Sequence, residues 1–196
     1  MTGNTSGNYG GAVMINGGSL TMDGKSSITG SKANTGAALY LYSCTTMNVS
    51  DSTISDNEAK WNGAVYANSG TLKVTDVTAS GNKADQGAAF YLSGGTVELK
   101  NVTASGNEAK NGGAIYTATA VTMVACKIYG NTATNGGAVY AAGNTLTVTG
   151  GEMTGNTASY GGAVYVNAGN LIASDSVIGS NHANNQGGAI YAKTTV

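Results

Sequence analysis

One short segment returns eight times in this chain at almost constant spacing, and that regularity restricts the fold more than any other feature. Gly10-Gly11-Ala12-Val13-Met14 recurs as Gly36-Ala37-Ala38-Leu39-Tyr40, Asn62-Gly63-Ala64-Val65-Tyr66, Gly87-Ala88-Ala89-Phe90-Tyr91 and Gly112-Gly113-Ala114-Ile115-Tyr116. It returns again as Gly136-Gly137-Ala138-Val139-Tyr140, Gly161-Gly162-Ala163-Val164-Tyr165 and Gly187-Gly188-Ala189-Ile190-Tyr191. The central alanines are spaced 26, 26, 25, 25, 24, 25 and 26 residues apart. Asparagine keeps step: Asn57, Asn82, Asn107, Asn131 and Asn156 each stand seven residues before the repeat alanine, Asn4 and Asn181 eight before it, and Ser31 takes the place in the second copy.

Three residues ahead of this polar position stands Ile28, Ile54, Ala79, Ala104, Ile128, Met153 or Ile178, and before that an alternating pair such as Leu72/Val74 or Leu146/Val148. Each repeat therefore reads as three short strands separated by Gly, Asn, Ser or Asp. No segment carries a 3.6-residue apolar stripe over three turns, and Val, Ile and Thr dominate between the turn residues. Three strands in about 25 residues, stacked coil on coil, predict an all-β right-handed parallel β-helix of eight coils, with residues 1–196 forming one repeat domain. Pro is absent, as suits a chain whose backbone N–H groups are engaged in ladders.

The positions carry structural duties. Val13, Leu39, Val65, Phe90, Ile115, Val139, Val164 and Ile190 are expected to form one inward stack, and Ile28 to Ile178 another. Asn57, Asn82, Asn107, Asn131, Asn156 and Asn181 are expected to form a ladder, amide on amide, at a turn. Tyr40, Tyr66, Tyr91, Tyr116, Tyr140, Tyr165 and Tyr191 fill seven of eight equivalent places, with Met14 in the first. Strand alternation puts them, together with the repeat alanines, on the outer face as a flat aromatic stripe. Such a stripe either stabilises the face by mutual stacking or serves as a contact surface for a sugar polymer, a second rod or a neighbouring domain.

With GGA followed by Ile, Val or Leu alternating with apolar-x-x-Asn, the chain resembles the repeats of the chlamydial polymorphic outer-membrane proteins. More broadly it is similar to β-helical autotransporter passengers and adhesins. Gly112-Gly113-Ala114-Ile115, Gly136-Gly137-Ala138-Val139, Gly161-Gly162-Ala163-Val164 and Gly187-Gly188-Ala189-Ile190 match the first motif in full. The second, Phe-x-x-Asn, stands here as Ile54-x-x-Asn57, Ile128-x-x-Asn131 and Ile178-x-x-Asn181, without the Phe. The resemblance implies a bacterial surface or secreted adhesive rod whose partner is a host or neighbouring-cell protein or glycan.

Catalysis finds little support. His182 is the only histidine and sits at an outward position held elsewhere by Thr5, Lys32, Glu58, Lys83, Glu108, Thr132 and Thr157, so neither a triad nor a histidine metal site is expected. Asp51, Asp56, Asp76, Asp85 and Asp175 are read as lone surface acids, because glycosidases need two facing carboxyls and lyases of this shape add cations beside them. The calcium-binding nonapeptide is missing, and no cofactor or metal is expected. A net charge of −1 without a basic patch argues against nucleic acid, and no apolar run is long enough to span a bilayer. Cys44 and Cys126 lie in different coils and are not expected to pair.

Neither end shows an atypical capping repeat, so a fragment of a longer surface protein is expected. Two alternatives stay open: a carbohydrate-active β-helix with its active residues outside this segment, and a self-associating module joined through end coils or the Tyr face. An ice-binding rod would need an unbroken outward Thr ladder. The second-strand positions Asn48, Lys73, Glu98, Thr122, Thr147 and Ile172 do not supply one.

Overall fold

The computed structural model describes residues 1–194. They form a right-handed parallel β-solenoid, without helix among the described residues, built from three long sheets that run the length of the rod. The first sheet has eight strands, from Val13–Asn16 to Ile190–Ala192. The second has seven, from Ser19–Met22 to Asn170–Ser174, and the third seven, from Ser27–Thr29 to Val177–Gly179. The expected eight coils are thus seven complete turns, the eighth copy of the repeat contributing to the first sheet alone. Every long-sheet strand pairs in parallel with its counterpart one coil away, so Val65, Phe90 and Ile115 stand directly over one another.

A fourth extended segment lies between the asparagine and the glycines, which three strands per coil did not foresee. It is a true strand pair at Lys32–Thr35 with Glu58–Asn62 and at Thr157–Tyr160 with His182–Gln186, and single bridges between them. Its charged and polar side chains point outward over a row of small residues, Ala33, Ala59 and Ala84 among them, so periodicity alone gave it little apolar signature.

The inner rows are as the sequence predicts. Leu39, Val65, Phe90, Ile115, Val139 and Val164 are buried, as are Ile28, Ile54, Ala79, Ala104, Ile128 and Met153, while the terminal members Val13, Ile178 and Ile190 are only partly covered. The repeat alanines depart from expectation. Ala38, Ala64, Ala89, Ala114, Ala138 and Ala163 are wholly buried in the core, not outward with the tyrosines. Alternation starts only where the strand starts, and the alanine precedes it: the N–H groups of Ala114 and Ile115 both donate to Ala138 O, a bulge-like doubling that turns two successive side chains inward. Before it, Gly136 (φ 64°) and its counterparts make the bend in the left-handed region. A Cβ on Gly136 would run into Val139 O.

The asparagine ladder closes the bend after the third sheet, where the preceding residue (Asp56, Gly81, Gly106, Gly130 or Gly155) has positive φ. From Asn82 to Asn181 each Oδ1 accepts the backbone N–H and the Nδ2 of the asparagine one coil back: Asn82 donates both to Asn107 Oδ1 at 3.0 Å, and Asn107 both to Asn131 Oδ1 at 2.9 Å. The second Nδ2 hydrogen goes to a carbonyl of the preceding coil, as from Asn107 to Ala79 O at 3.0 Å. All donors and acceptors of the buried amide are used.

The ladder breaks at Ser31, which lacks the amide oxygen. Asn4 Nδ2 and Ser31 Oγ are the side-chain polar atoms, among the described residues, that are fully sealed from solvent and lack a partner. Ser31→Asn is expected to restore the rung and raise stability by about 1 kcal/mol, read as a higher urea midpoint at unchanged m-value. A lower midpoint would contradict the ladder's account of these two atoms.

Candidate contact face

The seven tyrosines of the first sheet lie in register, Tyr66 opposite Tyr91, Tyr91 opposite Tyr116 and Tyr116 opposite Tyr140. From Tyr40 to Tyr165 neighbouring rings stack with centroids 4.8–5.5 Å apart and planes 7–9° from parallel. Tyr191 continues the row at 5.0 Å with a 27° tilt. This differs from a flat aromatic stripe. Coil spacing equals ring spacing, so each ring covers its neighbour's face and turns its edge outward. Tyr40 and Tyr165 are buried, while Tyr66, Tyr91, Tyr116, Tyr140 and Tyr191 are half-buried.

Burial pushes the phenols of Tyr91, Tyr116 and Tyr140 above the ordinary value of 10.0, and for Tyr91 and Tyr140 the neighbouring tyrosines add to it. A raised value in the folded chain means stability that is fully present below about pH 10 and lost as pH rises through the folded values. The melting temperature is therefore expected to hold to about pH 9 and fall by about pH 11, with the phenolates of Tyr91, Tyr116 and Tyr140 appearing together with unfolding. Phenolates of Tyr91, Tyr116 or Tyr140, followed individually by NMR, that appear at the ordinary pH in a still-folded rod would contradict the packed row.

Beside the tyrosines runs a polar row that the sequence reading did not single out: Thr35, Asn62, Gln86, Asn111, Asn135, Tyr160 and Gln186 are opposite one another in turn. Asn135 Nδ2 donates to Asn111 Oδ1 at 2.8 Å. Asn62 belongs here, across from Thr35 and Gln86, and not in the glycine row where its place before Gly63-Ala64 suggests. The shift arises from a bulge in Glu58–Asn62. Ala33 faces Ala59 and Thr35 faces Asn62, so Lys60 and Trp61 together stand opposite the single residue Asn34. Trp61 is 45% exposed, with Lys60 Nζ 5.1 Å from its ring centroid.

The fourth segment forms the floor of an open trough of about 530 Å³, over Ala59, Ala84, Ala109 and Ala133. Its charges alternate and pair: Lys32–Glu58 at 2.7 Å, Lys83–Glu108 at 2.8 Å and Lys110–Asp85 at 3.0 Å. The hydrogen bond from Lys32 holds the Glu58 carboxyl below its usual range, and Glu108 raises the Lys83 ammonium. Charges matched along one row leave no single-sign field for a polyion.

The outer face of the third sheet carries two hydroxyl rows across four coils, Ser27-Thr53-Thr78-Thr103 and Thr29-Ser55-Ser80-Ser105, ended by Lys127 and Tyr129. They lie on a strand other than the one where a threonine ladder was sought. On the second sheet the outward row is interrupted as expected, with Lys73 beside Glu98 and Thr122 beside Thr147.

The remaining candidates for chemistry are dispersed. His182 is exposed, opposite Thr157, with Nε2 3.1 Å from Asn184 Oδ1. Asp51, Asp76 and Asp175 occupy one left-handed turn position and Asp56 another, a backbone role that Asp and Asn tolerate well. Asp76 also accepts Asn101 Nδ2 at 3.0 Å, and Asp85 is held by Lys110. Among the described residues no three His, Cys, Asp or Glu side chains group as metal ligands. Cys44 and Cys126 are free and buried, and burial pushes both thiols up.

A three-sheet parallel solenoid with its charged groups scattered over outward rows defines a β-helix of repeat type. The family model for the right handed beta helix region matches residues 2–153, and the chain belongs to that family. The Chlamydia polymorphic membrane protein repeat model matches residues 175–193, the coil that holds Ile178-x-x-Asn181 and Gly187-Gly188-Ala189-Ile190. No curated protein and no solved structure matches the chain. The two family similarities suggest an autotransporter-like passenger at the bacterial surface, although the β-helix fold itself also occurs in enzymes.

Proposed function

We propose that this chain is a non-catalytic binding rod of a bacterial surface or secreted protein, acting as an adhesin-type stalk. Its contact face is the Tyr row with the amide row beside it, and its partner is a glycan or protein on a host or neighbouring cell. One observation supports this reading above the others. The inner rows and the asparagine ladder are fully occupied in holding the coils together, whereas the Tyr edges and the amides of Asn62, Gln86 and Asn111 line one continuous outer face. Rigid aromatics interleaved with carboxamides suit recognition of amphipathic, hydroxyl-rich surfaces. The test is to screen the purified rod against arrayed glycans and cell-surface proteins while assaying the same polysaccharides for cleavage. Saturable binding without product release is expected. Release of unsaturated or newly reducing sugars would overturn the non-catalytic reading, and concentration-dependent filaments without any binding would favour a self-associating module.

A further inference from the structure

We propose that the cleft beside Trp61 is a binding site for one pyranose unit of a glycan; this rests on the surface-binding reading above and gives it a specific site. The cleft is about 230 Å³ and is lined by Tyr9, Thr35, Tyr40, Trp61, Asn62 and Tyr66.

Three independent features meet there. First, the bulge in Glu58–Asn62 turns out the chain's single tryptophan, an indole that would otherwise be expected to bury most of its surface. The Lys60 ammonium lies 5.1 Å from the centroid of that ring. Second, the Tyr row begins here. Tyr9, which stands across from Thr35 and not in the row, leans on Tyr40 at 4.6 Å with a 30° tilt and stays 45% exposed. Third, Thr35 is only 3% exposed yet lines the cleft, and neither its hydroxyl nor the Asn62 carboxamide has a side-chain hydrogen bond among the described residues.

A pyranose ring has complementary chemistry: an apolar face of C–H groups for the aromatic walls and a rim of hydroxyls for an amide that both donates and accepts. The cleft is floored by strands of adjacent coils, so the groups are held by the rigid rod and binding requires little ordering.

Trp61 being the only tryptophan, its emission reports this cleft alone. Titration with methyl glycosides and short oligosaccharides of common hexoses and N-acetylhexosamines is expected to give a saturable change, with dissociation constants on the order of 1 mM for single units. In calorimetry, Trp61→Ala and Asn62→Ala should each weaken the best sugar at least about tenfold. Thr122→Ala, on the exposed row of the second sheet and away from the contact face, should leave it within about twofold. Circular dichroism and melting confirm that each variant is folded. A rod that binds glycans with no response at Trp61 overturns the cleft while sparing the rod. Trp61-dependent binding of proteins or peptides but no sugar overturns the ligand class. No glycan binding of any kind removes the sugar proposal at both levels.

Discussion

Asn107→Leu is expected to destabilise the rod by about 4 kcal/mol, although leucine is close to asparagine in size. The substitution removes four hydrogen bonds: those accepted from the N–H and Nδ2 of Asn82, and those donated to Ala79 O and Asn131 Oδ1. None of the abandoned groups has water to turn to, since Asn82, Ala79 and Asn131 are all fully buried. Two stranded donors at about 1–3 kcal/mol each outweigh the gain from burying an isobutyl group. Because each coil contacts only its neighbours, the defect should also divide the rod, so that one cooperative transition becomes two. Thr122→Leu, on the exposed row of the second sheet, is the control and should change stability by no more than about 0.5 kcal/mol. Equal effects from the two substitutions in urea unfolding would show that the ladder is not what holds this bend.

Phe90→Ala follows in magnitude, at about 3–5 kcal/mol. Phe90 is the chain's one phenylalanine, fully buried between Val65 and Ile115 in the inward stack of the first sheet. Its coil is also the place where the third sheet turns from large to small: Ile54 is followed by Ala79 and Ala104 before Ile128 returns. We expect the long ring in one sheet to occupy space that alanine leaves in the other. Removing the ring is then expected to leave a void bordered by Ala79. A double replacement, Phe90→Val with Ala79→Ile, reproduces the Ile54/Val65 pair of the coil before and should recover most of the loss. A double variant no more stable than Phe90→Val alone would show that the two positions do not share one cavity, and a thermodynamic cycle measures the coupling directly.

Most of the fold was legible because its inner rows are written in single residue types at fixed intervals. The Val/Ile stack, the Ile28 series and the asparagine ladder needed only counting. The alanines were misplaced because alternation was carried through a bend where two N–H groups share one carbonyl and two side chains in succession turn inward. The Trp61 bulge was hidden for a different reason. Asn57 and Ala64 are seven apart, as Asn82 and Ala89 are, so the residue gained in the strand is offset by one lost from the glycine turn. Only pairing reveals that Asn62 faces Gln86. The Tyr row was found from its spacing, but spacing says nothing of ring orientation. That the rings stack face on face and present their edges follows from the match between coil height and aromatic spacing. The amide and hydroxyl rows were missed because mixed Asn, Gln, Ser and Thr look like ordinary surface until register lines them up.

On the proposed function, interior rows hold the fold and the Tyr-amide face makes contact. Tyr116→Ser/Tyr140→Ser tests it most directly, with affinity and melting measured on the same preparation against the tightest partner from the binding screen. Cooperative unfolding is expected to persist at a melting temperature a few degrees lower, from lost stacking, while affinity for a partner spanning the row falls at least about tenfold. A folded double variant that binds as the parent does would contradict it.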